Sequence, residues 1–294
     1  MAQFTNANAK PPRRNSLENR EYLKAKLRAA PWWLYAIIAI AIFTFINILT
    51  NIPFQKAFIF IKAGLSVTIT TTLIAFVFAL MIGLLTGLGR ISDNTFFKNL
   101  ATLYVELIRG IPMLVLIFFI AFVGIPGVVN GLKAFGVWLT EIGMSSIGGW
   151  LSAIKNEVPM NTRAVIALST TYGAFLAEIF RAGIQSIGRG QMEAARSQGM
   201  SYWQAMRYII LPQAIRNVLP ALGNDFISML KDSSLVSVLA VRDITQIAKL
   251  YAGRTFQYQE AYITLAVLYL TMTILLSFLL KYIEKRIQKC TIGG

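Results

Sequence analysis

Charged and amide residues fall in small clusters inside otherwise apolar stretches: Glu106 with Arg109, Glu178 with Arg181, Asn224 with Asp225, and Lys231 with Asp232. The first two pairs are spaced three apart, which puts each on one face of a helix. An ionised side chain in hydrocarbon costs several kcal/mol unless it pairs or meets water, so each cluster either ties helices together or handles a solute. Glu178 and Arg181 fall near the end of their stretch, where a structural ion pair is the better reading. Glu106, Arg109, Lys231 and Asp232 lie deeper and are the candidates for contact with a solute, with Asn224 and Asp225 two turns earlier on the same helix. Gly110 and Pro112 directly follow Arg109 and are placed to open the helix there. A titrating Glu106 or Asp232 would also suit an ion- or proton-coupled secondary transporter.

The chain has no histidine and one cysteine, Cys290. Internal disulfides, Cys/His metal sites and His-dependent acid–base catalysis are thereby excluded. The elements that must position the clusters are apolar runs: the 294 residues are 56% hydrophobic and 14% charged, with a mean hydropathy of +0.60. Runs of about 20 apolar residues match a hydrocarbon layer of roughly 30 Å. Five stretches qualify: Leu34–Thr50, Leu65–Gly89, Leu100–Gly124, Ala164–Ile184 and Ala261–Leu280. Asn217–Val241 has the right length but holds Asp225, Lys231 and Asp232, which would fail a plain hydropathy window; it is counted as a span. The expectation is an all-α, polytopic membrane helical bundle with six transmembrane helices.

A net charge of +15 raises the question of nucleic acid, and the distribution of charge answers it. With both termini cytoplasmic, seventeen of the 28 Lys and Arg residues fall inside, eight fall outside, and Arg109, Arg181 and Lys231 lie within spans. This is the positive-inside pattern, in which juxtamembrane bases also meet anionic membrane lipid. No aromatic-interleaved basic domain accompanies it, so nucleic acid is not an expected partner. Residues 1–31 read as a polar cytoplasmic arm and 32–63 as a first transmembrane helix with an external loop. Gly124–Thr162, rich in glycine, reads as a long external connection with short surface-lying helices. Gly83 and Gly87 stand at the spacing that lets two helices approach closely.

One polar stretch interrupts the apolar pattern, EAARSQGMSYWQAMRYIILP over Glu193–Pro212. Glu193–Gln198 favours helix, Gly199 permits a turn at positive φ, and Ser201 with Gln204 forms a capping-box pattern that starts a second helix. Tyr202, Met206, Ile209 and Ile210 give that helix one apolar face, and Pro212 limits its continuation. A protruding helix pair between two spans makes sense if something soluble grips it and moves the spans.

Glu193-Ala194-Ala195, Gly199 and Ile210-Leu211-Pro212 resemble the EAA loop of bacterial ABC-importer permeases. ELIRGIPMLV (Glu106–Val115), AEIFRAGI (Ala177–Ile184) and LKDSSLVSV (Leu230–Val238) narrow the likeness to the polar amino-acid uptake family. The likeness covers roughly 64–285; the 1–31 arm, the first span in 32–63 and the long external connection lie outside its strongest part, and 286–294 is a cytoplasmic tail. It implies a type I importer core of five helices, here with one extra N-terminal helix, and a coupling hairpin over 185–213. Implied ATPase-coupling residues are Glu193, Ala194, Ala195, Gly199, Leu211 and Pro212. Implied partners are an ABC ATP-binding subunit dimer, a second permease subunit that is the same or homologous, and an extracytoplasmic amino-acid-binding protein. The setting implied is the bacterial inner membrane, and no cofactor belongs to this chain. The sequence has no G-x-x-x-x-G-K-[ST] loop, so ATP would be bound and hydrolysed by a partner. An amino acid presents an ammonium and a carboxylate: Glu106 and Asp232 are candidates for the first, Arg109 and Lys231 for the second.

Overall fold

Backbone groups inside hydrocarbon must be satisfied within the chain, and this sequence satisfies them with helices. A computed structural model describes residues 32–154 and 157–292, and no strand occurs among them. The 1–31 arm lies outside the described residues.

Helix α1 (Trp32–Thr50) is followed by α2 (Ile52–Ile61), which passes through a 3-10 turn at Lys62–Gly64 into α3 (Leu65–Arg90). The external loop expected before residue 64 is therefore helix. Only Asn51 leaves the helical region, at φ −106° and ψ 114°, and Pro53 follows at the start of α2, where its missing N–H costs nothing. Next come α4 (Thr95–Gly110) and α5 (Met113–Phe119), and a π turn at Ile120–Gly124 leads into α6 (Ile125–Glu141). The expected Leu100–Gly124 span is thus divided. Ile111 is extended, at φ −110° and ψ 137°, as the ring of Pro112 demands of the residue before it. The helix that restarts does not stop at Gly124 but runs on to Glu141 and folds back as α7 (Ser145–Ser152). Two of the glycines that read as loop, Gly136 and Gly148, are packing positions here: a Cβ on Gly136 would lie 2.7 Å from the Leu151 Cβ.

Helix α8 (Met160–Gln185) leads into α9 (Arg189–Ser197) and α10 (Tyr202–Ala205), then through a π turn at Met206–Ile210 into α11 (Leu211–Asp232). Pro212 does not end the second hairpin helix. The π turn just before it widens the ladder at the point where the proline ring would otherwise meet the preceding carbonyls. Helix α11 gives way to a 3-10 segment at Ser233–Leu239, so Lys231 and Asp232 close a helix rather than sit inside a continuous span. Helix α12 (Ile244–Thr255), unforeseen in the sequence, is capped by Asp243, whose side chain accepts from the Gln246 N–H at 2.8 Å. Helix α13 (Tyr258–Ile292) closes the chain.

Among the described residues, four continuous helical stretches are long and apolar enough to cross a bilayer: Ile52–Arg90, Met113–Glu141, Met160–Gln185 and Tyr258–Glu284. Tyr35–Thr50 is a shorter apolar helix. At 22 residues α11 extends about 33 Å, but Arg216, Asp225, Lys231 and Asp232 lower its hydropathy. The bundle is organised on α8, the most buried of the long apolar helices, which packs along α3. Gly83 and Gly87 make that approach possible: a Cβ on Gly83 would lie 2.7 Å from the Leu176 Cβ, and one on Gly87 would lie 2.9 Å from the Ala177 carbonyl. Ala75, Ala79, Leu168, Tyr172, Leu176, Val218 and Met229 continue this core across α3, α8 and α11.

Candidate functional site

Two polar constellations and one protruding hairpin account for the residues singled out in the sequence. The first constellation surrounds Glu178 on α8. Its carboxylate accepts from Arg181 on the same helix and from Arg90 at the end of α3, and Arg181 also reaches the Gln185 Oε1 at 2.7 Å. Arg90 has a second partner, Glu106 on α4, at 3.5 Å. This brace joins α3, α4 and α8, which agrees with the structural reading of Glu178 and Arg181. It also alters the reading of Glu106, whose ion pair is with Arg90 and not with Arg109.

The second constellation also stands on α8. Asp232 accepts a hydrogen bond of 2.6 Å from the Tyr172 hydroxyl. The Tyr172 ring lies 6.0 Å from that of Phe175, and the Arg109 guanidinium sits 5.7 Å over the Phe175 ring. Residues 172 and 175 are three apart, so one face of α8 links the acid that closes α11 to the base that closes α4. Asp225 is half-buried two turns before Asp232 on α11. Lys231 and Asn224 are exposed and have no polar partner among the described residues. Arg109 is exposed as well, and Glu106 keeps 67% of its side-chain surface. The structure therefore brings Asp232 and Arg109 to neighbouring residues, Tyr172 and Phe175, on one face of α8, attaches Glu106 to the brace, and leaves Asn224 and Lys231 open.

The hairpin forms as its sequence dictates. Gly199 takes φ +82°, and the turn is closed by bonds from the Gly199 and Met200 N–H groups to the Arg196 and Ala195 carbonyls. Both halves of the capping box are made: Ser201 accepts from the Gln204 N–H at 3.3 Å, and the Gln204 side chain accepts from the Ser201 N–H at 2.8 Å. Met206, Ile210 and Ala214 bury against Ile184, with Leu88, Ile91 and Ile187 around them, seating the hairpin on the ends of α3 and α8. Tyr202 shares this seat, and burial followed by the nearby Asp93 carboxylate pushes its phenol above the ordinary value. Ala195 faces inward at 7% exposure, and Leu211 is half-buried. Glu193, Ala194, Gly199 and Pro212 face outward, beside Trp203 at 72% exposure.

A family described as the binding-protein-dependent transport system inner membrane component matches residues 79–289. The chain belongs to that permease family. The match holds the third to sixth expected spans, the inner part of the second from residue 79, and the whole hairpin. The permease is 38% identical over 222 residues to a probable glutamine ABC transporter permease protein, GlnM, of Bacillus subtilis (strain 168), covering 76% of this chain and 90% of that one. It is 32% identical over 225 residues to the glutamine transport system permease protein GlnP of Escherichia coli (strain K12), covering 76% and 91%. The crystal structure of an amino acid ABC transporter with histidines superposes with a TM-score of 0.63 at 39% identity, over 81% of this chain and 97% of that chain. The all-α bundle of membrane-crossing helices and the setting, a multi-pass inner-membrane protein, follow from this membership and from the apolar helices.

Sequence reasoning missed Tyr172, Phe175 and Arg90, the three residues through which the charged candidates are connected in the permease. Tyr172 and Phe175 fall within the apolar Ala164–Ile184 run, whose pattern singles out neither. The available signal was a tyrosine hydroxyl in hydrocarbon, which needs a partner in the bundle. Arg90 read as one more positive charge at a helix end, and nothing local tied it to a carboxylate 88 residues away.

Proposed function

We propose that the permease carries amino acids inward through a pathway lined by Glu106, Arg109, Asn224, Asp225, Lys231 and Asp232. The observation that carries this reading is the Tyr172 and Phe175 face of α8, which holds an acid, Asp232, and a base, Arg109, beside the unpaired Lys231. Opposite charges held by an aromatic face, with one ammonium free, suit a solute with opposite charges at its two ends. Asp232 receives the ammonium, with Asp225 and Glu106 along the way; Arg109 and Lys231 receive the carboxylate, Arg through its planar fork. The names of the relatives, two for glutamine and one for an amino acid, support the solute class.

Exposed charge on helices of this depth needs water or another protein chain. A second permease subunit, the same or homologous, supplies the facing wall of the pathway. The 193–212 hairpin projects into the cytoplasm and seats Glu193, Ala194 and Gly199 in an ATP-binding subunit; Leu211 and Pro212 transmit the motion into α11. ATP is bound and hydrolysed by a dimer of that partner. An extracytoplasmic amino-acid-binding protein delivers solute from the other side, and both termini of the permease lie in the cytoplasm. The 64–285 segment forms the conducting domain, with 32–63 as an addition to it.

The test is uptake of labelled amino acids by proteoliposomes containing the complete complex. Asp232→Asn and Lys231→Met lower uptake by about tenfold to a hundredfold, the span for a lost charge-assisted hydrogen bond, while the complex still assembles. Wild-type uptake by both variants sinks the proposed pathway.

A further inference from the structure

The end of the bundle away from the hairpin carries a second concave feature. Helices α2 and α12 pack on each other through Ala57, Ile61, Ile244 and Ala248. Beside this seam lies a cleft of about 610 Å³ lined by Lys56, Ile59, Phe60, Arg242, Leu250 and Arg254. Three of those residues are cations, and none of them forms an ion pair with a described residue. Neighbouring bases are engaged differently: Lys62 lies 6.0 Å from the Phe58 ring centre, and Lys249 donates to the Ser237 hydroxyl at 2.9 Å. Glu260 acts on the nearby Tyr251 but pairs with none of the three. Three like charges on one hollow repel each other, and an anion in the hollow relieves that repulsion. The walls narrow the anion further, since Ile59 is 61% exposed and Phe60 38%.

Depth supplies the last constraint. Helix α3 has 26 residues, so it rises about 39 Å from Arg90 to Leu65. A bilayer with its headgroups is about 40–45 Å thick. With Arg90 at one interface, the end of α3 that leads into α2 and its cleft stands in the headgroup layer of the opposite leaflet. A free phosphate would answer the charges and leave the apolar walls wet. An anionic phospholipid answers both, with its phosphate among the cations and an acyl chain along Ile59, Phe60 and Leu250. We infer that the cleft between α2 and α12 is a binding site for an anionic phospholipid of the leaflet opposite the hairpin. The site is independent of the proposed solute pathway.

The experiment is native mass spectrometry of the complete complex released from nanodiscs of phosphatidylcholine containing a minor share of phosphatidylglycerol. The wild-type complex retains phosphatidylglycerol over phosphatidylcholine. A K56Q/R242Q/R254Q variant loses that preference by about a hundredfold, since each base near a bilayer surface contributes about fivefold. Lys133→Gln, outside the cleft, leaves the preference unchanged, and R242K/R254K keeps most of it because a charge suffices. Where the triple variant fails to assemble, R242Q and R254Q are scored singly, each at about fivefold. Undiminished phosphatidylglycerol retention in these variants overturns the inference. Displacement of the lipid by millimolar inorganic phosphate makes the cleft a simple anion site and overturns it too. So does a triple variant that retains the lipid but no longer accepts the binding protein, because the cations would then serve protein docking.

Discussion

The two constellations on α8 use the same chemistry to opposite ends. Around Glu178 every strong donor has an acceptor: Arg181 and Arg90 both reach the carboxylate, and the Arg90 side chain is only 14% exposed. Around Tyr172 the bonds run through rings and one hydroxyl, and Lys231 and Arg109 remain exposed. A closed network resists rearrangement because any movement strands a charge. An open one has donors left for something that is not part of the chain. The pair lie on one helix within two turns, so the difference comes from what faces α8 and not from α8 itself. At Glu178 it meets the base-bearing end of α3; at Tyr172 it meets the ends of α4 and α11, where helices stop and side chains fan outward.

This contrast is broken most directly at the closed side. Glu178→Gln leaves Arg90 with only the 3.5 Å contact to Glu106 and leaves Arg181 without a charge partner. The loss is about 2–3 kcal/mol, below that of a fully buried pair, because Glu178 keeps 28% of its side-chain surface. Thermal unfolding of the solubilised complex measures it, and adding Arg90→Met recovers about half or more. A variant as stable as wild type would remove the distinction between the two constellations.

The hairpin separates stability from transport. Glu193 is exposed and unpaired among the described residues, so Glu193→Lys changes stability by less than about 0.5 kcal/mol. Under the proposed coupling its effect is on transport: uptake falls by about tenfold while ATP hydrolysis by the complex continues. Parallel assays of uptake and phosphate release check this, and unchanged uptake would remove the hairpin's coupling role.

Tyr172→Phe probes the open side with a smaller change. It deletes one hydroxyl and keeps the ring against Phe175, so the net loss is that of one hydrogen bond, about 1 kcal/mol or a fivefold effect. In the proposed pathway the released Asp232 alters the apparent KM for the amino acid. An effect confined to the unfolding temperature would make the pair structural.

How much of this was legible follows from how local each signal is. The capping box at Ser201 and Gln204, the positive φ of Gly199, the Gly83 and Gly87 contact and the break after Gly110 rest on a few adjacent residues, and the structure contains all of them. The helix over 125–141 was hidden because Gly127, Gly131 and Gly136 favour loops when nothing packs on them. Here Gly136 accommodates α7 at a distance that a larger residue would block. The stop expected at Pro212 failed because a π turn absorbs the ring, a backbone adjustment with no residue code. The charged clusters were visible as types and positions, but their partners were not. Arg90 to Glu178 and Tyr172 to Asp232 join residues 88 and 60 apart, and only packing decides such pairs.

Glu106 tests the contrast most finely, because it stands at the edge of both constellations. Its acidic side chain within an apolar run made it a candidate for a solute ammonium, while the structure gives one of its oxygens to Arg90 at 3.5 Å. That contact is long, and with 67% of the side chain exposed it has the weight of a surface pair, about 0–1 kcal/mol. Glu106→Gln therefore leaves the unfolding temperature of the complex nearly unchanged. The other carboxylate oxygen has no partner among the described residues and is the atom a solute ammonium would use. In the proposed pathway the variant raises the KM for amino-acid uptake about threefold to tenfold, the range for a partly solvated charge-assisted bond. A double-mutant cycle with Arg90→Met, read in both unfolding temperature and KM, separates the roles. Coupling in stability with no change in KM assigns Glu106 wholly to the brace and removes it from the pathway. A raised KM with no stability coupling places it on the open side, with Arg90 as its partner only while no solute is bound.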